Sequence, residues 1–197
     1  MQKTKSSARQ KAALLLLLLA PSLGYGQRTL RVAVLNEATS LPSLRMLETP
    51  IHPGLTIGAD FLLRRGKHWQ TAIGTDLSFF HHRLSENAVM LDATYALGYK
   101  FGFGLQPKFL AALGYKHTLA AGEVYELKNG SYEETNYLGK SQFNAKVGFG
   151  LEYALNEKYS LTTDYKTMLV LPYSQKIPFS LHTLLSVGMK VNLKNNR

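Results

Sequence analysis

The chain has no cysteine among its 197 residues. That absence excludes a disulfide framework and any thiolate metal site. Beyond residue 26 it also lacks an apolar run of about 18 residues, so it offers no membrane-spanning helix. Such a chain can cross a bilayer only as a closed barrel, in which every backbone polar group finds a partner within the sheet. Neither a Walker loop nor a dinucleotide-binding glycine fingerprint is present. Acidic residues are scarce beside basic ones, 13 against 23, for a formal net charge of +10.

The first 26 residues read as a cleaved secretory signal peptide, leaving residues 27–197 as one domain. Lys3, Lys5, Arg9 and Lys11 form a basic region, and Ala12 to Ala20 form a short apolar core. Gly24 and Gly26 then precede a cut at Gln27. The apolar core is too short to span a membrane. No cysteine follows it to carry a lipid anchor.

The mature chain is organised by alternation. In Ser141 to Tyr153, one set of alternate residues is Phe143, Ala145, Val147, Phe149, Leu151 and Tyr153. The other set is Gln142, Asn144, Lys146, Gly148, Gly150 and Glu152. Successive side chains of a strand point to opposite faces, so this segment has one apolar face and one polar or glycine face. The same pattern marks eight strands, roughly Arg28 to Leu35, Gly54 to Arg64, Trp69 to Phe80, Val89 to Phe101, Leu105 to Thr118, Ser141 to Tyr153, Tyr159 to Leu169 and Ser180 to Leu193. One face of all eight carries no Asp, Glu, Lys or Arg. The other carries Arg31, Asp60, Arg64, Asp76, Asp92, Lys100, Lys108, Lys116, Lys146, Glu152, Asp164, Lys166 and Lys190.

A soluble β-protein turns its apolar face inward, whereas a membrane barrel turns it outward. Two features favour the second. Connections alternate between short (65–68, 102–104, 154–158) and long (36–53, 81–88, 119–140, 170–179), as periplasmic turns and external loops do. Trp69, Tyr99, Phe101, Tyr153 and Tyr159 lie at the turn ends of the apolar face, with Phe79, Tyr115 and Phe143 at the opposite rim, where interfacial girdles belong. The expected fold is therefore an all-β, eight-stranded antiparallel up-and-down transmembrane barrel located in the outer membrane. The basic excess then falls on the signal peptide, the turn-side rim and a mixed lumen. No patch suits a phosphate backbone, which excludes nucleic acid as a partner.

The last strand, Ser186-Val187-Gly188-Met189-Lys190-Val191-Asn192-Leu193, resembles the C-terminal β-signal of outer-membrane proteins, with Leu193 where an aromatic is commonest. The mature chain as a whole resembles a small eight-stranded outer-membrane barrel, similar in size to OmpX-like proteins. That resemblance implies recognition by the barrel-assembly machinery and contact with outer-membrane lipids. It implies no activity, because one fold hosts many functions.

An eight-stranded barrel is just wide enough for side chains to fill it. Asp60, Asp76, Asp92, Glu152 and Asp164 with Lys108, Lys146 and Lys166 are expected to form a packed ion-pair network there, since unpaired interior charges are costly. Inward glycines, among them Gly58, Gly74, Gly114 and Gly150, make room for those side chains. No cofactor or metal site is expected, because the histidines lack the close same-face spacing of zinc ligands. Ser180, His182 and Asp164 are the residue types of a nucleophile, base and orienter, but a lumen-facing set is poorly placed for lipid, and no catalytic role is assigned. A short helix is expected over Leu41 to Leu47, followed by a turn at Ile51-His52-Pro53-Gly54.

The loop from Leu119 to Lys140 is the best candidate for external contacts. Tyr125, Tyr132 and Tyr137 interleave with Glu123, Glu126, Glu133 and Glu134, around a Lys128-Asn129-Gly130-Ser131 turn that would tip a hairpin. Tyrosine among adaptable polar neighbours suits an extracellular protein or glycan. The favoured function is a structural or surface-interacting barrel. A small-solute pore and a lipid-modifying enzyme are the alternatives.

Overall fold

Alternation of apolar and polar residues carries each long strand, and Gly, Pro, Asn and Ser punctuate the connections between them. The computed structural model describes residues 28–38, 51–82, 86–122, 124–128, 130–134, 139–173 and 177–193. The signal peptide and the short helix expected over Leu41 to Leu47 lie outside the described residues. The strands are β1 (Arg28–Ala38), β2 (Pro53–Arg65), β3 (Trp69–His82), β4 (Glu86–Tyr99) and β5 (Leu105–Ala120). They continue as β6 (Tyr125–Lys128), β7 (Ser131–Glu134), β8 (Lys140–Ala154), β9 (Tyr159–Leu171) and β10 (Ser180–Leu193).

Eight of these close into one antiparallel barrel in the order β1-β10-β9-β8-β5-β4-β3-β2. Each strand pairs with its neighbour in the chain, and β1 against β10 removes the last free edge. β6 and β7 form a separate two-stranded hairpin between β5 and β8. Gly130, at φ +86°, supplies the left-handed residue of its tip.

The apolar face looks outward. Phe149 is 70% exposed and Val34 65%, whereas Lys146 and Asp164 are 7% and 2% exposed. At the turn end, Trp69 meets Tyr99 edge-on at 5.2 Å, Tyr99 meets Phe101 at 5.1 Å, and Phe101 stacks on Phe103 at 5.4 Å. This run of rings is the interfacial girdle.

Three expectations are corrected. The 81–88 connection is not long: β3 and β4 run on to His82 and from Glu86, leaving residues 83–85 between them. No turn forms at Pro53-Gly54, because β2 begins at Pro53 and Gly54 pairs with both Leu35 and Phe80. Arg64 is exposed and does not line the lumen. A register shift between Leu62 and Arg64 places Arg64 opposite the outward residue Thr71, since an extra residue in one strand reverses the parity that follows it.

Candidate functional site in the barrel lumen and mouth

From the turn end to the loop end, the interior has four levels. The first is a cavity of about 360 Å³, open at the turn end, with Asp60, Glu152 and Lys190 among its lining.

The second is the ion-pair network, which brings together Asp60, Asp76, Asp92, Glu152 and Asp164 with Arg31, Lys108, Lys146, Lys166 and Lys190. Arg31 makes a two-pronged contact with Asp76 at 2.6 and 2.7 Å and reaches Asp164 at 3.4 Å. Lys166 lies 3.8 Å from Asp76 and 3.5 Å from Asp164. Lys108 bridges Glu152 at 3.2 Å and Asp164 at 3.9 Å. Lys190 joins Asp60 and Glu152, each at 3.2 Å. Lys146 and Asp92 form a separate pair at 2.5 Å. Five carboxylates, Asp60, Asp76, Asp92, Glu152 and Asp164, are thus matched one for one by Arg31, Lys108, Lys146, Lys166 and Lys190.

Glycine makes this network possible. Asp60 faces Gly74, Asp76 faces Gly58, Asp92 faces Gly114 and Asp164 faces Gly150 across adjacent strands. At each of these glycines a Cβ would run into the carboxylate opposite.

The third level is apolar and was not anticipated. Leu35, Phe80, Ala88, Met90, Met168, Val170 and Leu184 pack together across the lumen, with Phe80, Met90 and Met168 at 0% exposure. These residues occupy inward positions at the loop ends of β1, β3, β4, β9 and β10. A space of about 20 Å³ lies between this layer and the network, lined by Leu35 and Leu184 with Asp76 and Lys146, and a second of about 20 Å³ lies within the network beside Arg31 and Asp60.

The fourth level is the mouth. Lys116 pairs with Glu86, and its Nζ lies 5.4 Å from the centre of the Phe80 ring. Beside them Glu37, His52, His82 and His182 come together from β1, the residue preceding β2, the last residue of β3, and β10. His182 Nδ1 is 2.8 Å from Glu37 Oε1, and His52 Nδ1 is 3.4 Å from Glu37 Oε2. The His52 and His82 rings stack at 3.6 Å. Sequence reasoning missed this group because Glu37 and His82 fall beyond the strand ends read from sequence. Extending the parity of β1 and β3 by two residues would have placed both inward.

Ser180, His182 and Asp164 do not assemble. His182 is committed to Glu37, while Asp164 belongs to the cationic network. At the hairpin, Tyr132 is 76% exposed. Glu123 and Tyr137 lie outside the described residues, as does the side chain of Tyr125.

This architecture is shared with solved outer-membrane barrels. Neisserial surface protein A aligns at 15% identity and a TM-score of 0.51, over 85% of this chain and 96% of that one. The outer-membrane enzyme PagL aligns at 11% identity and a TM-score of 0.50, over 84% and 99%. The attachment invasion locus protein Ail of Yersinia pestis aligns at 10% identity and a TM-score of 0.49, over 86% and 100%. The first two likenesses establish the fold, a closed eight-stranded barrel of the outer-membrane type. No curated protein matches the sequence. The family model described as a domain of unknown function, DUF2715, matches residues 7–193, and the chain belongs to that family.

Proposed function

We propose that the protein is a non-conducting, non-enzymatic barrel of the outer membrane, of OmpX-like type, that acts at its external face through the β6–β7 hairpin. The observation that carries this reading is the filled lumen. An ion-pair network and an apolar layer lie in series, and the spaces between and within them measure about 20 Å³. A void of that size holds roughly one water molecule, far from a solvated solute path. The turn-side cavity is a blind vestibule closed by Asp60, Glu152 and Lys190. The separation of Ser180, His182 and Asp164 supports a role without catalysis.

What remains accessible is the hairpin, which carries the exposed Tyr132 and pairs only within itself. Its chemistry suits an extracellular protein or glycan that accepts tyrosine contacts amid acidic neighbours. Reconstitution in planar bilayers tests the lumen. Stepwise conductance would overturn the reading, and a silent membrane is expected. Lipid A of unchanged mass in cells lacking the protein is expected on the same reading, and a shifted mass would point to lipid modification instead.

A further inference from the structure

The cluster at the mouth has the donor set of a transition-metal site. We infer that Glu37, His52 and His82 bind one divalent cation of the zinc class, with His182 positioning the Glu37 carboxylate. One potential ligand atom from each of the three lies within 4.8 Å of the others. Two imidazoles and a carboxylate suit zinc and its neighbours in the transition series better than calcium or magnesium, which take all-oxygen sets.

The surroundings are built as metal sites are built. His52 Nδ1 lies 2.9 Å from the Glu37 carbonyl oxygen. Donation there places the proton on Nδ1 and leaves Nε2 with a free lone pair, the tautomer that a backbone carbonyl imposes on ligating histidines. His52 is itself clamped to β1. Its N–H donates to Asn36 Oδ1 at 2.8 Å, and its carbonyl accepts from the Glu37 N–H at 3.2 Å. His182 supplies the outer-shell hydrogen bond that orients a ligating carboxylate, Nδ1 to Oε1 at 2.8 Å.

A second observation is independent of proximity. His82 Nδ1 is buried and has no hydrogen-bond partner among the described residues. Buried polar atoms are ordinarily satisfied by protein, water or an ion, and a bound cation would satisfy this one. Ligands at about 2.0–2.1 Å around a tetrahedral ion stand about 3.3 Å apart, so the His52 and His82 rings, now stacked at 3.6 Å, must part and turn a nitrogen each toward the ion on loading. Three protein ligands leave a fourth position open toward the mouth, as in zinc sites that keep an exchangeable ligand.

Calorimetric titration of the untagged, refolded full-length barrel with zinc chloride tests this. One ion per barrel with micromolar or tighter affinity is expected. His52→Ala/His82→Ala is expected to abolish that binding, and His182→Ala to weaken it by about 10–100-fold. His182→Gln, which keeps an N–H donor toward Glu37, should restore most of the loss. His81→Ala is the internal control, since His81 is exposed and bonded to Asn87 at 2.6 Å; it should bind as the parent does. Heat-modifiable gel mobility separates lost binding from lost folding in every variant. Cobalt loading of the unmutated protein needs no variant, and visible absorption bands of nitrogen–oxygen tetrahedral cobalt are expected. Absence of stoichiometric zinc binding, or binding that persists in the folded His52→Ala/His82→Ala barrel, would overturn the assignment.

Discussion

Asp76 and Asp92 stand directly opposite one another on β3 and β4, as Arg31 and Lys190 do on β1 and β10. Like charges so placed repel. Each is held because an opposite charge reaches it across the lumen, Arg31 for Asp76 and Lys146 for Asp92. Removing one partner of such a pair leaves a buried charge uncompensated. Lys146→Met is therefore expected to cost about 3–5 kcal/mol in urea unfolding from lipid vesicles. The double variant Lys146→Met/Asp92→Leu should recover most of that loss, because replacing both members of a buried pair with apolar residues is often neutral. At Gly114 a Cβ would collide with both the Asp92 carboxylate and the Leu91 carbonyl, whereas at Gly122 it meets nothing within 4 Å. The same unfolding measurement should give about 1–3 kcal/mol of destabilisation for Gly114→Ala and close to none for Gly122→Ala.

Strands are where a lipid-facing position differs from a lumen position one residue away. Val147, 51% exposed, lies midway along β8 between Phe143 and Tyr153, the rings of the two rims. Val147→Lys is expected to destabilise the barrel by about 2–4 kcal/mol in vesicles, and Val147→Leu to be near neutral. The hairpin is a separate element: β6 and β7 pair with each other and with no barrel strand. Deleting residues 124–137 should leave the heat-modifiable mobility of the folded barrel unchanged. On the proposed function it should also remove whatever binding of extracellular protein or glycan the parent barrel shows in vesicles. Binding that survives the deletion would move the contact surface elsewhere.

At the scale of the whole molecule, parity along the chain separated a charge-free face from a charged one, and the alternating connection lengths with the aromatic rings at the strand ends decided which of the two meets lipid. The same alternation set the number of barrel strands, and the Lys128-Asn129-Gly130-Ser131 turn chemistry pointed to the hairpin. Which carboxylate meets which cation was not legible. Arg31 reaches Asp164, 133 positions away, only because β1 closes on β10 and the stagger of the closed sheet sets their heights. Closure likewise gathers Leu35, Phe80, Met90, Met168 and Leu184 into one layer, though in sequence each strand offers only one or two apolar residues there, such as Met168 with Val170, on an otherwise polar face. The Glu37, His52, His82 and His182 group has no local spacing at all, since its members come from four separate segments. Sequence alone determined the membrane-facing surface, through alternate side chains and the rings at the strand ends. The tertiary structure alone decided how charged pairs and an apolar layer pack across the described lumen and that its mouth holds a histidine–carboxylate cluster, because both arise from contacts across a closed ring.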